Sequence, residues 1–375
     1  MSQLATIDQL EPTDAAALAA VGVDVRNNTR SATFIQRNLL PLCVYVHKPG
    51  LEMLPLAEAL SRYDWLREKY YWQAVRPDLD EVTAEVSAQP EPQGFFIWVK
   101  RGTKLTAPAQ AGLYMSHGNV AQLIHNIVIL EEEAELNLIT GCLTKLDVPD
   151  GVHYAVSEHY LGKKAKLTNT MVHSWGPEVI VRPCSGTIVA EGGMFVSNYV
   201  SLRPARRIES NPQTWLNGAG ASAKYTTIIL GSTGATIDTG GAIYLNADDT
   251  SAELAHRGVC TGGRMYQRGL LIGRARCRAH VDCAGMVLDA KAEGFIESIP
   301  GLRGLHPEAR MSHEASIGKI APEQVEYLQS RGMTEREAIS MIIRGFLDVD
   351  IAGLGPELDA RIAEIAELAG HGEER

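Results

Sequence analysis

Ala235-Thr236-Ile237-Asp238-Thr239 opens a stretch of this chain that repeats itself. The same pattern, an alanine followed by alternating polar and apolar positions, returns at Ala252-Glu253-Leu254-Ala255-His256 and Ala275-Arg276-Cys277-Arg278-Ala279. It comes back at Ala292-Glu293-Gly294-Phe295-Ile296 and Ala309-Arg310-Met311-Ser312-His313, giving spacings of 17, 23, 17 and 17 residues. Similar starts occur earlier, at Ala134, Ala165 and Ala223. Alternation puts every second side chain on one face of a strand. A period of roughly 20 residues with strand content, small residues and glycine turns indicates a stacked β-solenoid. A small residue recurs because the inward corner of each rung meets the rungs above and below. The competing readings are a β-sandwich, whose strands have no reason to keep a period, and chance recurrence among many alanines.

The flanks have a different texture. Residues 1 to about 75 read as helical: Ala15 to Val21 is alanine-rich, and Leu56, Leu60, Tyr63 and Leu66 fall at helical spacing. Residues 77–94 are acidic, contain three prolines and read as a connecting arm. Short apolar runs then begin, among them Phe95-Phe96-Ile97-Trp98-Val99 and Leu136-Asn137-Leu138-Ile139, each a strand signal. After Ile320 the helical texture returns. Pro322 suits a first helical position, Gly332 a stop, and Thr334-Glu335-Arg336-Glu337 a capping box. Ala338, Met341, Ile342 and Leu347 would continue one apolar face. A last helix from Pro356 would carry Leu358, Ile362, Ile365 and Leu368. The expected organisation is an N-terminal helical region and arm (1–93), a parallel β-helix core (94–310) and a C-terminal helical domain (311–375). Helices at both ends would cover the exposed sheet edges, which otherwise invite aggregation.

Composition narrows the function. A net charge of −10 argues against a nucleic-acid footprint, which is normally basic. Six scattered cysteines without a Cys-x-x-Cys pair give neither a disulfide scaffold nor a zinc ribbon. Met1-Ser2-Gln3-Leu4-Ala5-Thr6-Ile7-Asp8 lacks the basic and apolar regions of a signal peptide. No apolar run approaches the roughly 18 residues of a membrane span. A cytoplasmic protein with reduced thiols is therefore expected. Phosphate-binding glycine loops and a Gly-x-Ser-x-Gly elbow are both absent, so the chain should not hydrolyse ATP by itself.

Three residues stand out for metal chemistry. His313 and Glu314 lie side by side where strand-like sequence gives way to helical sequence, and Cys283 sits in His280-Val281-Asp282-Cys283-Ala284-Gly285. Thiolate, imidazole and carboxylate together suit iron. Each has a plainer reading: a buried thiol packing as a hydrophobe, and an exposed polar pair at a helix start. Adjacent strand residues face opposite ways, so His313 and Glu314 could share a metal only if the chain bends there. Arg274, Arg276 and Arg278 would favour the thiolate of Cys283 if close in space. His313 lies four residues after Ala309 and Cys283 eight after Ala275, so the two are expected to meet only across a subunit interface. Cys184, in Val181-Arg182-Pro183-Cys184-Ser185, is a weaker candidate. Cys43, Cys142 and Cys260 read as packed, and Cys277, among arginines, as exposed. His117, His125, His153, His159, His173 and His256 show no zinc-like spacing.

Several of these pieces occur in a telling order. His125-Asn126-Ile127-Val128-Ile129-Leu130-Glu131-Glu132 is followed by Ala134-Glu135-Leu136-Asn137-Leu138-Ile139-Thr140-Gly141-Cys142, then by Arg268-Gly269-Leu270-Leu271-Ile272-Gly273. The Cys283 strand and His313-Glu314-Ala315-Ser316 come next, and then Ser330-Arg331-Gly332 with Ala338-Ile339-Ser340-Met341-Ile342 and Gly345-Phe346. This series resembles the SufB/SufD family of iron–sulfur cluster assembly proteins, from about Trp72 to Phe346. The resemblance implies a right-handed parallel β-helix between helical terminal regions, a homodimer formed through the β-helix, and a SufC-like ABC ATPase docked on the C-terminal helices. It implies a non-enzymatic scaffold that builds a transient iron–sulfur cluster and passes it to apo-proteins, without nucleic acid or membrane. By position Cys283, His313 and Glu314 would be the cluster ligands and Cys184 a sulfur acceptor. Having all three ligands makes the chain SufB-like, in a compact form without a separate SufD. The alternatives are a SufD-like structural partner of the ATPase and a carbohydrate-active β-helix enzyme, which should show carboxylates converging on one rung.

Overall fold

A computed structural model describes residues 10–26, 29–203, 205–288 and 294–347. The chain begins with α1 (Pro12–Ala19), then β1 (Ala32–Arg37), β2 (Leu40–Val46) and β3 (Leu51–Pro55), followed by α2 (Leu56–Arg62), α3 (Asp64–Lys69) and α4 (Glu81–Ser87). The helical expectation for residues 1 to 75 is met at α1, α2 and α3. It is not met between residues 32 and 55, where β-branched and aromatic residues form three strands.

The central run is β4 (Phe95–Val99), β5 (Ala109–Met115), β6 (Ala121–Leu130), β7 (Glu135–Thr144), β8 (Asp150–Leu161), β9 (Lys166–Ser174), β10 (Glu178–Val189) and β11 (Met194–Arg203). It continues through β12 (Arg207–Ser210), β13 (Gln213–Leu216), β14 (Ser222–Gly231), β15 (Thr236–Thr239), β16 (Ala242–Leu245) and β17 (Thr250–Cys260). The last strands are β18 (Arg264–Gly273), β19 (Cys277–Val287), β20 (Phe295–Gly304) and β21 (Ala309–Lys319), before α5 (Pro322–Ser330) and α6 (Glu335–Leu347). Together the strands make a parallel β-solenoid of about 7 turns. One sheet runs β2-β1-β5-β7-β9-β11-β14-β17-β19-β21, and the facing sheet carries β3, β4, β6, β8, β10, β12, β13, β15, β16, β18 and β20.

The repeat differs in period from the sequence reading. Register partners on successive strands of the first sheet, such as Lys166 and Met194, Met194 and Ser222, Ser222 and Ser251, Thr250 and Cys277, and Cys277 and Ala309, lie 28, 28, 29, 27 and 32 residues apart. Each turn holds a strand in each sheet, so a motif that marks both sheets recurs at a fraction of a turn. Ala235 precedes β15 in one sheet, while Ala252 lies in β17 of the other. The corner logic holds. Glu133, Lys164, Gly220 and Gly234 take φ of 60°, 56°, 69° and 84°, and the residues that follow them, Ala134, Ala165, Ala221 and Ala235, are buried. Each of these alanines donates its N–H to the carbonyl three residues back, closing a tight turn.

Two layers of core result. Inward residues of both sheets, from Phe34 through Phe95, Leu136, Phe195 and Leu254 to Cys283, fill the solenoid. Outside it, α1 and α6 lie against the first sheet: Leu18, Val172, Val200, Ile228, Val259, Ile339 and Ile343 form one cluster. α2 and α3 cover the other sheet with Leu56, Leu66 and Phe96. The arm after α3 is held by Glu158, fully buried, whose carboxylate accepts from the N–H groups of Trp72 (2.7 Å), Ala74 (2.6 Å) and Val75 (3.0 Å) and from Tyr160 Oη (2.9 Å). Gly186 is required here, because a Cβ would sit 2.3 Å from the Ala74 carbonyl oxygen.

The ends of the solenoid are unlike. At the N-terminal end the antiparallel pairs β1–β2 and β3–β4 close both sheets. At the C-terminal end β21 continues as strand to Lys319, beyond the expected change to helix after residue 310, and from Ser312 to Lys319 every residue is exposed. Among the described residues, α5 and α6 do not lie over this edge, and α6 packs on the face of the first sheet. The capping box forms as expected, with Thr334 N donating to Glu337 Oε2 (2.8 Å) and Glu337 N to Thr334 Oγ1 (3.3 Å). α6 buries Ala338, Ile339, Ile343 and Leu347, while Met341 faces solvent. The helix expected from Pro356 lies outside the described residues. Among the described residues no helix is long and apolar enough to cross a membrane.

Candidate functional site at the open end of the solenoid

The last rungs bring the expected residues into one neighbourhood. In β19 the inward series is Cys277, Ala279, Val281 and Cys283, all buried, with Arg278 exposed and His280 and Asp282 half-buried on the other face. β21 pairs with β19 in register, so Val281 lies beside His313, Asp282 beside Glu314, and Cys283 beside Ala315. His313 therefore shares the inward side with Cys283, one diagonal step away, while Glu314 projects from the outer face. The two sites meet within one chain. Of the four-residue phase difference expected, two residues are real and two arise because Ala309 pairs with Cys277 rather than with Ala275. No bend separates His313 from Glu314; both lie in straight strand, and α5 starts only at Pro322.

Burial dominates the thiol. Cys283 has no exposed surface, and its pKa is pushed up to about 12 by that burial first and by Asp282 second, with Arg257 pulling the other way. The arginines that were expected to favour a thiolate point elsewhere: Arg276 pairs with Asp249 (2.8 Å), and Arg274 lies over the Tyr244 ring. Cys277 is buried rather than exposed, its thiol likewise raised by desolvation.

A further residue joins the site. His256 in β17 is the register partner of Cys283 on the side away from β21, and it points inward at 1 % exposure. Adjacent strands lie about 4.8 Å apart, so imidazole and thiol are stacked neighbours. Neither ring nitrogen of His256 makes a hydrogen bond of normal distance and angle, and the Arg268 backbone is at most a weak partner. Burial lowers its pKa to about 4, against a smaller upward pull from the Arg268 backbone. A buried polar group left unpaired is costly, and a neutral imidazole with a free lone pair is the form that binds metal. The signal for His256 was in the sequence: it precedes Cys283 by 27 residues, one turn, but that offset means nothing until the turn length is known.

Glu314 carries a related imbalance. Its register neighbour Asp282 is paired with Arg257 Nη2 at 2.5 Å, but Glu314 has no ion-pair partner among the described residues. Like charges side by side on a sheet are unfavourable, so an exposed carboxylate here is suited to a cation from outside. The buried thiol, the poorly partnered imidazole and the open rim bearing His313 and Glu314 make a site with soft donors inside and harder donors at the edge.

Cys184 is not part of it. It lies on the outer face of β10, half-buried beneath the N-terminal arm with Val75, Val86 and Val156, and burial raises its pKa to about 12.

Residues 113–346 match the family described as SUF system FeS cluster assembly, SufBD core domain. An iron–sulfur cluster assembly SufBD family protein of Methanothermobacter thermautotrophicus is 40% identical over 94% of this chain and 86% of its own length. One from Archaeoglobus fulgidus is 36% identical over 94% of each chain, and one from Pyrococcus horikoshii is 31% identical over 87% of this chain and 72% of its own.

Proposed function

The chain belongs to the SufBD family of SUF-system iron–sulfur cluster assembly proteins, and from that premise we propose that it is a non-enzymatic scaffold on which a nascent cluster is built and then passed to apo-proteins. The observation that carries this reading is Cys283, a buried thiol one strand in from an end that no described residue caps, with His256 beneath it and His313 and Glu314 at the rim. Iron and sulfide are the cargo. Iron entering the site would displace the Cys283 proton, forming an S–Fe bond and releasing H⁺ to solvent, since His256 with a pKa of about 4 is a poor proton store. Its lone pair would serve as a nitrogen ligand, with His313 and Glu314 completing the set. Few thiolates suit a scaffold, because a cluster held by four would be hard to release.

The open edge of β21 supports a homodimer through the solenoid ends, where a second copy would pair with or stack on the exposed rung. α5 and α6, tied to the sheet through Ile339 and Ile343 but with Tyr327 and Met341 exposed, fit a docking surface for a SufC-like ABC ATPase. The six free cysteines fit a reducing cytoplasm. The second reading is a SufD-like structural partner of the ATPase, in which Cys283 is dispensable. The test is transfer: protein reconstituted anaerobically with iron and sulfide is mixed with an apo-ferredoxin under a chelator. Appearance of the ferredoxin spectrum faster than from free iron and sulfide supports the scaffold. A protein that takes up no cluster, or holds one it does not pass on, overturns it.

A further inference from the structure

The solenoid interior contains a second group of metal-binding side chains, well away from the open end. Cys142 in β7 and His173 in β9 are register partners on the first sheet, and His153 in β8 faces them from the other sheet. A sulfur or nitrogen from each lies within 4.8 Å of the other two, and all three residues are buried. None of the sequence spacings suggests this, since 142, 153 and 173 fit no zinc motif; the turn of the solenoid assembles them. Four strand steps of about 4.8 Å separate β9 from β19, so the group is roughly 19 Å from Cys283.

The surroundings set the tautomer of one ring and leave a nitrogen of the other without a partner. Gln122 donates its amide N–H groups to the carbonyls of Asn38 (2.8 Å) and Tyr114 (3.3 Å), which leaves Oε1 as the atom facing His153 Nδ1 at 3.0 Å. An acceptor there requires the proton on Nδ1, so His153 Nε2 presents a lone pair. His173 Nδ1 is 3.0 Å from Tyr199 Oη, and its Nε2 is buried without a partner, as is Nε1 of Trp175, whose ring lies tilted against His153 and edge-on to His173. Outer groups that fix the tautomer of a histidine are the usual companions of a metal ligand. We propose that Cys142, His153 and His173 form an internal site for a thiophilic metal ion, with one sulfur and two nitrogens as ligands.

Binding would replace the Cys142 proton by the metal, releasing H⁺, with both imidazoles neutral throughout. A divalent ion then leaves a net charge of +1 in a dry interior and needs an anionic fourth ligand, whereas copper(I) leaves none. Zinc and copper(I) are therefore the probes. The full chain is produced in medium supplemented with each, purified anaerobically with a chelator wash, and assayed for metal by mass spectrometry and for ligands by X-ray absorption. About one metal per chain with one sulfur and two nitrogens, retained in Cys283→Ala and lost in Cys142→Ser and His173→Gln, is expected. Metal-free protein, or metal held by several sulfurs or kept by both site variants, overturns the proposal. Should either variant fail to fold, the ligand count on Cys283→Ala decides, because the open-end site of the wild type also offers one sulfur and two nitrogens. The outcome is independent of cluster assembly, because Cys283→Ala leaves this site intact.

Discussion

At the scale of single residues the site is defined by groups that are poorly satisfied where they are. His256 is buried with neither ring nitrogen in a well-formed hydrogen bond, the Arg268 backbone being at most a weak partner, an arrangement that costs stability unless something else uses it. Replacing both demands at once with an apolar side chain of similar size removes the penalty. His256→Leu should therefore leave the melting temperature unchanged or raise it, with stability gained by up to about 1 kcal/mol, while iron bound after reconstitution falls at least twofold. A clear loss of stability with normal cluster content would make His256 a packing residue. Cys283 and His313-Glu314 could be picked out of the sequence because a thiol, an imidazole and a carboxylate together suit iron. His256 could not, because an inward histidine looks like any other until the rung length places it against Cys283.

At the scale of elements, the strand character, the corners and the capping box of α6 follow from local patterns and were legible. The alanine at each corner follows an αL residue and meets its neighbours, so it leaves a trace in the sequence. The rung length was misread because the same corner chemistry marks both sheets. Strands β1, β2 and β3 were missed because apolar spacing around Leu56 and Leu60 speaks only for α2, while pairing with distant strands decides the segment before it. β21 is the element with most consequence: a full-length strand, paired on one side only among the described residues, with Ile317 49 % exposed. If its open edge joins two copies, an inserted charge should separate them. Ile317→Asp is expected to weaken dimerisation at least tenfold, read by light scattering or sedimentation over a concentration series, with circular dichroism unchanged. A variant that dimerises like the wild type would move the interface elsewhere.

At the scale of the whole molecule, a solenoid stacks its polar interior residues in a dry column, and folding carries them out of water together. His159 shows the effect. It is 3 % exposed, bonded to Thr187 Oγ1 at 3.0 Å, and its pKa is lowered from 6.5 to about 4 by burial, with Glu158 acting weakly the other way. Above pH 6.5 the ring is neutral in both folded and unfolded chains. Between there and pH 4 the unfolded chain binds a proton that the folded chain does not, so stability falls as pH falls. At about pH 5 the loss attributable to this residue is about 2 kcal/mol. His159→Leu, which also leaves the buried Thr187 hydroxyl unpaired, should lose about 2 kcal/mol less than the wild type on going from neutral pH to about pH 5 in urea unfolding. Parallel pH profiles would show that the ring is not held neutral.

The proposed role rests on the buried thiol beneath the open rung, and its most direct test is anaerobic reconstitution with iron and sulfide of the wild type and of Cys283→Ala. Visible absorption, iron content and circular dichroism are read on both. A labile cluster on the wild type and at least a fivefold loss of it from a folded Cys283→Ala is the predicted result. Equal cluster on both proteins, or none on either, would contradict the assignment of Cys283 as the principal ligand of a scaffold.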